Sequence, residues 1–130
     1  MLVLSIRTDR PRAEIGLFED GHKIAYQTWE AHRQLAETIH LQITTILQTH
    51  GRALTDIKGL ICFKGPGSFT GLRIGLTVAN VLAMSLTVPV VGSGGGNWLE
   101  QGLQLLADGE NDVVAMPEYG AEVHITKQRK

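Results

Sequence analysis

Residues 65–71 form a glycine-rich stretch, GPGSFTG, between a predicted buried strand and a predicted helix. Such a stretch can bind a phosphate, because the first turn of a helix presents free N–H groups and a partial positive charge. It lacks the lysine that a P-loop places after its last glycine, and its glycines are spaced too widely for a dinucleotide-binding fingerprint. The sequence favours a tight turn that begins a helix, with phosphate binding as the alternative.

Other residues that could do chemistry occur singly. Cys62 lies mid-strand in the apolar run LICF with no neighbouring base, which predicts a buried thiol rather than a nucleophile. Ser68 lies in G-P-G-S-F and not in the G-x-S-x-G of a nucleophile elbow. His32 and His40 do not have the i, i+4 spacing of a helical metal pair. We therefore predict no catalytic residue and no metal site.

The composition is that of an ordinary globular domain. The chain has 130 residues, 43% hydrophobic and 19% charged, with a formal net charge of −1. This balance predicts no overall attraction to nucleic acid or to an anionic membrane. No apolar run approaches the ~20 residues of a membrane helix, and the single cysteine suits a reducing compartment. We expect a cytoplasmic protein that does not bind membranes.

The elements that position the glycine stretch begin with three predicted strands, at 2–7, 13–19 and 22–29. Asp20-Gly21 predicts a two-residue type I′ hairpin between the last two. Two strands and three helices follow, at 31–50 (helix), 59–64 (strand), 68–86 (helix), 88–92 (strand) and 97–107 (helix). The order β-β-β-α-β-α-β-α predicts an α/β fold with a mixed sheet and helices on its faces.

Residues 1–110 are predicted to form this lobe, and residues 111–130 a C-terminal strand or tail. DVVAM, at 112–116, suggests a last strand. Asn97, with Glu100 three residues later, matches the capping-box pattern at the start of the last helix.

The 68–86 helix carries a ridge of small residues. Gly71, Gly75, Ala79 and Ala83 recur every four residues, and the helix is apolar on nearly every side. Because small residues let another backbone approach closely, we predict that a partner helix packs there, with the chain's own first helix as the alternative cover. The predicted interface is Gly71, Leu72, Gly75, Leu76, Ala79, Leu82 and Ala83.

GPGSFTGLRIG, followed by LTVANVLA and VPVVG, closely resembles the hallmark segment of the TsaB (YeaZ) family. The resemblance extends more loosely from the first strand through Ser93. It implies an actin-like, ribonuclease H-like lobe, with one lobe where the family has two. The residues matching the family's glycine turn are Gly65, Pro66, Gly67, Ser68, Phe69 and Thr70.

The resemblance also implies a function. The family supplies the non-catalytic partner of TsaD in bacterial synthesis of tRNA threonylcarbamoyladenosine, so a scaffold or activator is expected rather than an enzyme. It would dock on TsaD through its two long helices, form a homodimer when alone, and touch tRNA only through the complex. A TsaE-like ATPase would join, with ATP and metal on the partner subunits and no cofactor on this chain. The alternative is a small nucleotide-binding or phosphotransfer protein that uses the glycine-rich loops at 65–71 and 94–96.

One departure concerns the end of the first strand. Actin-like ATPases carry a carboxylate there, near metal and phosphate, whereas this chain has Arg7-Thr8-Asp9. Arginine cannot ligate a cation and would repel one. We predict that Arg7 pairs with a carboxylate such as Asp9 or Glu14, with attraction of a phosphate as the alternative.

Overall fold

The computed structural model describes residues 1–67 and 69–118. Five strands form one sheet in the order β3-β2-β1-β4-β5. The strands are β1 (Leu2–Arg7), β2 (Arg12–Glu19), β3 (His22–Glu30), β4 (Ile57–Gly65) and β5 (Val90–Gly94). The helices are α1 (Leu35–Thr49), α2 (Phe69–Leu86) and α3 (Trp98–Ala107), with short 3₁₀ turns at His32–Gln34 and Leu54–Asp56. The predicted order of elements is confirmed.

The first three strands form an antiparallel meander, and β4 and β5 add in parallel. Asp20 and Gly21 have φ values of 52° and 82°, which confirms the hairpin turn predicted from this dipeptide. The central strands β1 and β4 read as nearly continuous apolar runs because both of their faces are covered. Leu4, Leu60 and Ile61 are fully buried, and each such side chain contributes about 1.5–3 kcal/mol to the burial free energy.

Helices cover both faces of the sheet. On β3, Tyr26 lines a groove together with α3, whereas its neighbour Gln27 hydrogen-bonds to Gln42 on α1. Successive strand residues point to opposite faces, so α1 and α3 lie on opposite sides of the sheet. Helices α1 and α2 lie side by side and line a common groove.

Two local predictions are wrong. Asn97 makes no side-chain capping bond at the start of α3. Residues 111–118, which we call the strap, do not form a strand. Asn111 and Asp112 instead accept hydrogen bonds through their side chains from the Val90 and Gly92 amides on β5.

The strap is tied to the lobe and not separate from it, because the Asp112 amide donates to the Val90 carbonyl and the Glu118 amide to the Lys64 carbonyl. The rest of the predicted C-terminal segment, 119–130, lies outside the described residues. Within the described residues, no helix has the length and apolar character needed to cross a membrane.

Candidate functional site

The start of α2 lies directly on the end of β1. The buried Thr8 hydroxyl donates a hydrogen bond to the Gly71 carbonyl, with an oxygen–oxygen distance of 2.6 Å. A Cβ atom at Gly71 would lie 2.2 Å from the Thr8 carbonyl oxygen, and one at Gly75 would lie 2.2 Å from the Thr8 Oγ1. Both glycines are therefore required for the helix to approach the strand this closely.

The glycine turn packs against the same strand end. A Cβ atom at Gly67 would lie 2.7 Å from the Asp9 Cβ, and one at Gly94 would lie 2.2 Å from the Gly65 carbonyl oxygen. Gly65 has a φ of 112°, in the region that favours glycine. Close packing, against backbone at Gly94 and against the Asp9 side chain at Gly67, thus accounts for glycine at these two positions. Pro66 and Thr70 are exposed, and Ser68 lies outside the described residues.

The prediction that the fold leaves the small-residue ridge of α2 open is wrong. Leu72 and Ala79 are fully buried, and Gly75, Leu76 and Ala83 are also buried. The small residues do permit close approach, but the residue that lies against Gly71 and Gly75 is Thr8 of the same chain. The adjoining apolar side chains of the ridge are part of the hydrophobic core. Neither a partner helix nor α1 is the main cover. Gly71 and Leu82 are half-buried.

Asp9, at the end of β1, is held by Arg7. The Arg7 Nε donates to Asp9 Oδ1 at 2.8 Å and a terminal nitrogen donates to Oδ2 at 3.3 Å. The guanidinium carbon lies 3.8 Å from the centroid of the Phe63 ring, a cation–π geometry. The predicted pairing of Arg7 with Asp9 is confirmed. The Arg7 guanidinium is thus bonded to both Asp9 oxygens, which a metal ion at this site would need as ligands.

Glu14, the second carboxylate near this strand end, is also engaged. Its Oε1 accepts a hydrogen bond from the Tyr26 hydroxyl and its Oε2 accepts one from Arg10, both at 2.6 Å. Burial and the bond to this carboxylate raise the pKa of Tyr26 far above its ordinary value, so the phenol stays a neutral donor. Among the described residues, no group of three His, Cys, Asp or Glu side chains could hold a metal ion.

A cavity of about 440 Å³ opens beside Thr8 and the first turn of α2. Arg10, Arg33 and Thr70 contribute to its wall. This cavity has room for the ligand of the alternative hypothesis.

The outer surface of α1 and α2 carries apolar side chains that the fold does not bury. Leu41 is 64% exposed and Val81 is 51% exposed. Between the two helices lies a shallow groove of about 280 Å³. We call the outer surface of these two helices the docking face. His40, Arg73, Ile74 and Val78 line its groove, and Leu41, Val81 and Leu82 lie on the same two helices.

Leu82 is one of the predicted interface residues, whereas Leu41 is not. A signal was present, because Leu41 falls off the stripe of Leu35, Ile39 and Ile43 that α1 buries. A large apolar residue off the buried stripe of an amphipathic helix is a candidate contact residue.

The mixed five-stranded sheet with helices on both faces defines the class of the protein as an actin-like, ribonuclease H-like lobe. The structure of YeaZ from Pseudomonas aeruginosa superposes with a TM-score of 0.66 at 26% sequence identity. The superposition covers 72% of this chain and 43% of that chain. The predicted fold class is confirmed.

The family follows from the sequence matches. The family model described as "TsaD: tRNA N6-adenosine threonylcarbamoyltransferase" matches residues 28–94, just over half of the chain. The chain therefore belongs to this family. It is 38% identical to tRNA threonylcarbamoyladenosine biosynthesis protein TsaB of Escherichia coli over 97 residues, 71% of this chain. It is 31% identical to TsaB of Bacillus subtilis over 90 residues. The TsaB (YeaZ) resemblance is confirmed.

The chain spans 39% of the length of each of these two curated TsaB proteins. The range matched by the family model, residues 28–94, contains α1, β4, the glycine turn, α2 and β5.

Proposed function

We propose that the chain is a non-catalytic subunit in the synthesis of tRNA threonylcarbamoyladenosine, which docks on a TsaD-type catalytic subunit through the docking face. Its membership of the TsaD family and its sequence identity of 38% to TsaB of Escherichia coli support this role. ATP, metal and a TsaE-like ATPase belong to the partner subunits in this proposal, and tRNA contacts this chain only through the complex.

The observation that carries the proposal is the exposure of Leu41 and Val81 on two adjacent helices. Large apolar side chains that are exposed on neighbouring helices mark a protein interaction surface. Ile74 and Val78 are half-buried in the groove between the two helices and would be covered further by a partner. His40 and Arg73 on the same surface provide polar contacts and suit an acidic partner surface.

A non-catalytic role agrees with the state of the carboxylates. Asp9 is bound by Arg7, and Glu14 is bound by both Tyr26 and Arg10. A carboxylate already paired with an arginine and a phenol is a poor metal ligand or general base, because its lone pairs are engaged. The chemistry would take place on the partner.

The proposal is tested by co-purification of the chain with the TsaD of the same organism. Leu41→Asp and Val81→Asp should each weaken the association at least tenfold, because each places a charge in an apolar contact. Leu54→Asp is the matched control, since Leu54 is 43% exposed and belongs to a 3₁₀ turn rather than to either helix. Association that survives both docking-face variants, or that is lost equally with the control, would contradict the proposal.

The cavity beside Thr8 supports the second candidate, a nucleotide-binding protein. Arg33 is exposed at its wall, and among the described residues it has no carboxylate partner. Calorimetry with ATP and Mg²⁺ tests this: binding of ATP by the wild-type chain that Arg33→Met weakens favours the second candidate, and absence of heat disfavours it.

A further inference from the structure

A groove of about 540 Å³ lies between α3 and the hairpin of β2 and β3. We call it the α3 groove; Phe18 and Tyr26 line its sheet wall, and Trp98, Leu99 and Leu103 line its helix wall. Phe18 and Trp98 are almost wholly buried, whereas the other three are half-buried. A cleft of this size with a mainly apolar and aromatic lining is typical of small-molecule sites. A ligand there would cover the half-buried side chains further.

The carboxylate of Glu14 also lines the groove, but its charge is already balanced. One oxygen accepts a hydrogen bond from the Tyr26 hydroxyl, and the other accepts one from Arg10, both at 2.6 Å. These bonds fix the position of the Tyr26 ring in the sheet wall. The selection of a charged ligand therefore depends on other residues.

Two such residues, Lys23 on β3 and Glu100 on α3, line the groove from opposite walls. Both are exposed, and among the described residues neither has an ion-pair partner. The Lys23 ammonium nitrogen lies 5.8 Å from the centroid of the Tyr26 ring, so its charge lies beside the groove wall. The groove thus offers one available positive charge and one available negative charge, with apolar surface between them.

This arrangement is complementary to a molecule that carries both charges and a large apolar group. We propose that the α3 groove binds a free α-amino acid with an aromatic or large aliphatic side chain. Lys23 binds its carboxylate, Glu100 binds its ammonium group, and its side chain packs against Tyr26 and the two leucines of α3. An internal residue of a peptide has neither charge and a peptide terminus has only one of them, so the free amino acid is the better match.

The groove is separate from the docking face. It lies on the α3 side of the sheet, whereas α1 lies on the opposite side. Binding of an amino acid is therefore measured on the chain alone, and its result does not depend on whether the chain docks on TsaD.

The test is titration calorimetry of the 130-residue chain with L-phenylalanine. We expect a dissociation constant of about 1 mM or below, as for a small ligand that buries one apolar group. 2-Phenylethylamine lacks the carboxylate and 3-phenylpropionate lacks the ammonium group, so each should bind about fivefold more weakly. L-Serine lacks the apolar group and should give no detectable binding. Absence of L-phenylalanine binding, or equal affinity for the three phenyl compounds, would overturn the proposal.

Two variants assign the charges. Lys23→Met should weaken binding of L-phenylalanine about fivefold and leave binding of 2-phenylethylamine no weaker than in the wild-type chain. Glu100→Gln should weaken binding of L-phenylalanine to a similar extent and leave binding of 3-phenylpropionate no weaker. Lys58→Met and Glu37→Gln are the matched controls, because both residues are exposed and belong to β4 and α1. Equal weakening by the controls, or loss of all three phenyl compounds in Lys23→Met, would contradict these roles.

Discussion

The two sides of α2 differ in the size of their side chains and in what covers them. The inner side carries Gly71, Gly75 and Ala79, and the chain's own first strand and core press against it. The outer side carries Val81 and Met84, which the fold leaves exposed. Small residues on a helix thus mark where a backbone comes close, but they do not tell whether that backbone belongs to the same chain. Large apolar side chains in solvent are the better sign of a partner.

The largest change in stability is expected from a bulkier side chain on the inner side of α2. Gly75→Leu should destabilise the fold by about 3 kcal/mol or more, because overpacking against a fixed strand end cannot relax. A Cβ at Gly75 would lie only 2.2 Å from the Thr8 Oγ1. Urea denaturation measures the change in the free energy of unfolding. Thr77→Leu, at an exposed position of the same helix, should change it by less than about 0.5 kcal/mol. Equal, small effects would show that the inner side is open after all.

The second prediction concerns the strand end on which the inner side rests. Arg7→Met should lower the free energy of unfolding by about 2 kcal/mol, because it leaves the nearly buried Asp9 carboxylate without its bidentate partner. The double variant Arg7→Met/Asp9→Asn should recover part of this loss, since no unpaired charge remains. A double variant no more stable than Arg7→Met would indicate that the cation–π contact with Phe63, and not the ion pair, provides the stabilisation.

The smallest change in stability is expected from an ion pair at the surface, between Arg52 and Glu19. The hydrogen bond from Arg52 holds the pKa of Glu19 below its ordinary value of 4.5. A depressed folded-state pKa stabilises the protein above the unfolded pKa, and this stabilisation is lost as the pH falls through the folded pKa. Arg52→Met should therefore lower the urea midpoint slightly at pH 7 and have no effect near pH 2. The exposed Arg33→Met serves as control, and an Arg52→Met effect that persists near pH 2 would mean that the salt bridge is not its source.

Much of the fold could be predicted from local signals. Asp20-Gly21 specifies its hairpin, and Gly51, with a φ of 67°, ends α1 as a glycine at this position should. The close approach at Gly71 and Gly75 was also predictable. The group that approaches these glycines could not be predicted, because Thr8 lies 63 residues away from Gly71 and only the tertiary fold brings them together.

The strap could not be predicted, for a different reason. Its attachment depends on the side chains of Asn111 and Asp112, which accept hydrogen bonds from β5 amides at the sheet edge. It also depends on Asn80 of α2, whose side chain bonds to the backbone of Ala115. Such bonds leave no periodic pattern in the sequence, so DVVAM reads as a strand.

The two sides of α2 are compared most directly by thiol labelling of single cysteine variants, with and without TsaD. The native Cys62 gives little background, because it is buried and burial raises the pKa of its thiol. We predict that Val81→Cys reacts rapidly in the free chain and is protected by TsaD, while Ala83→Cys, at a position 4% exposed, stays unreactive in both states. Rapid labelling of Ala83→Cys in the free chain, followed by its protection on adding TsaD, would contradict the account.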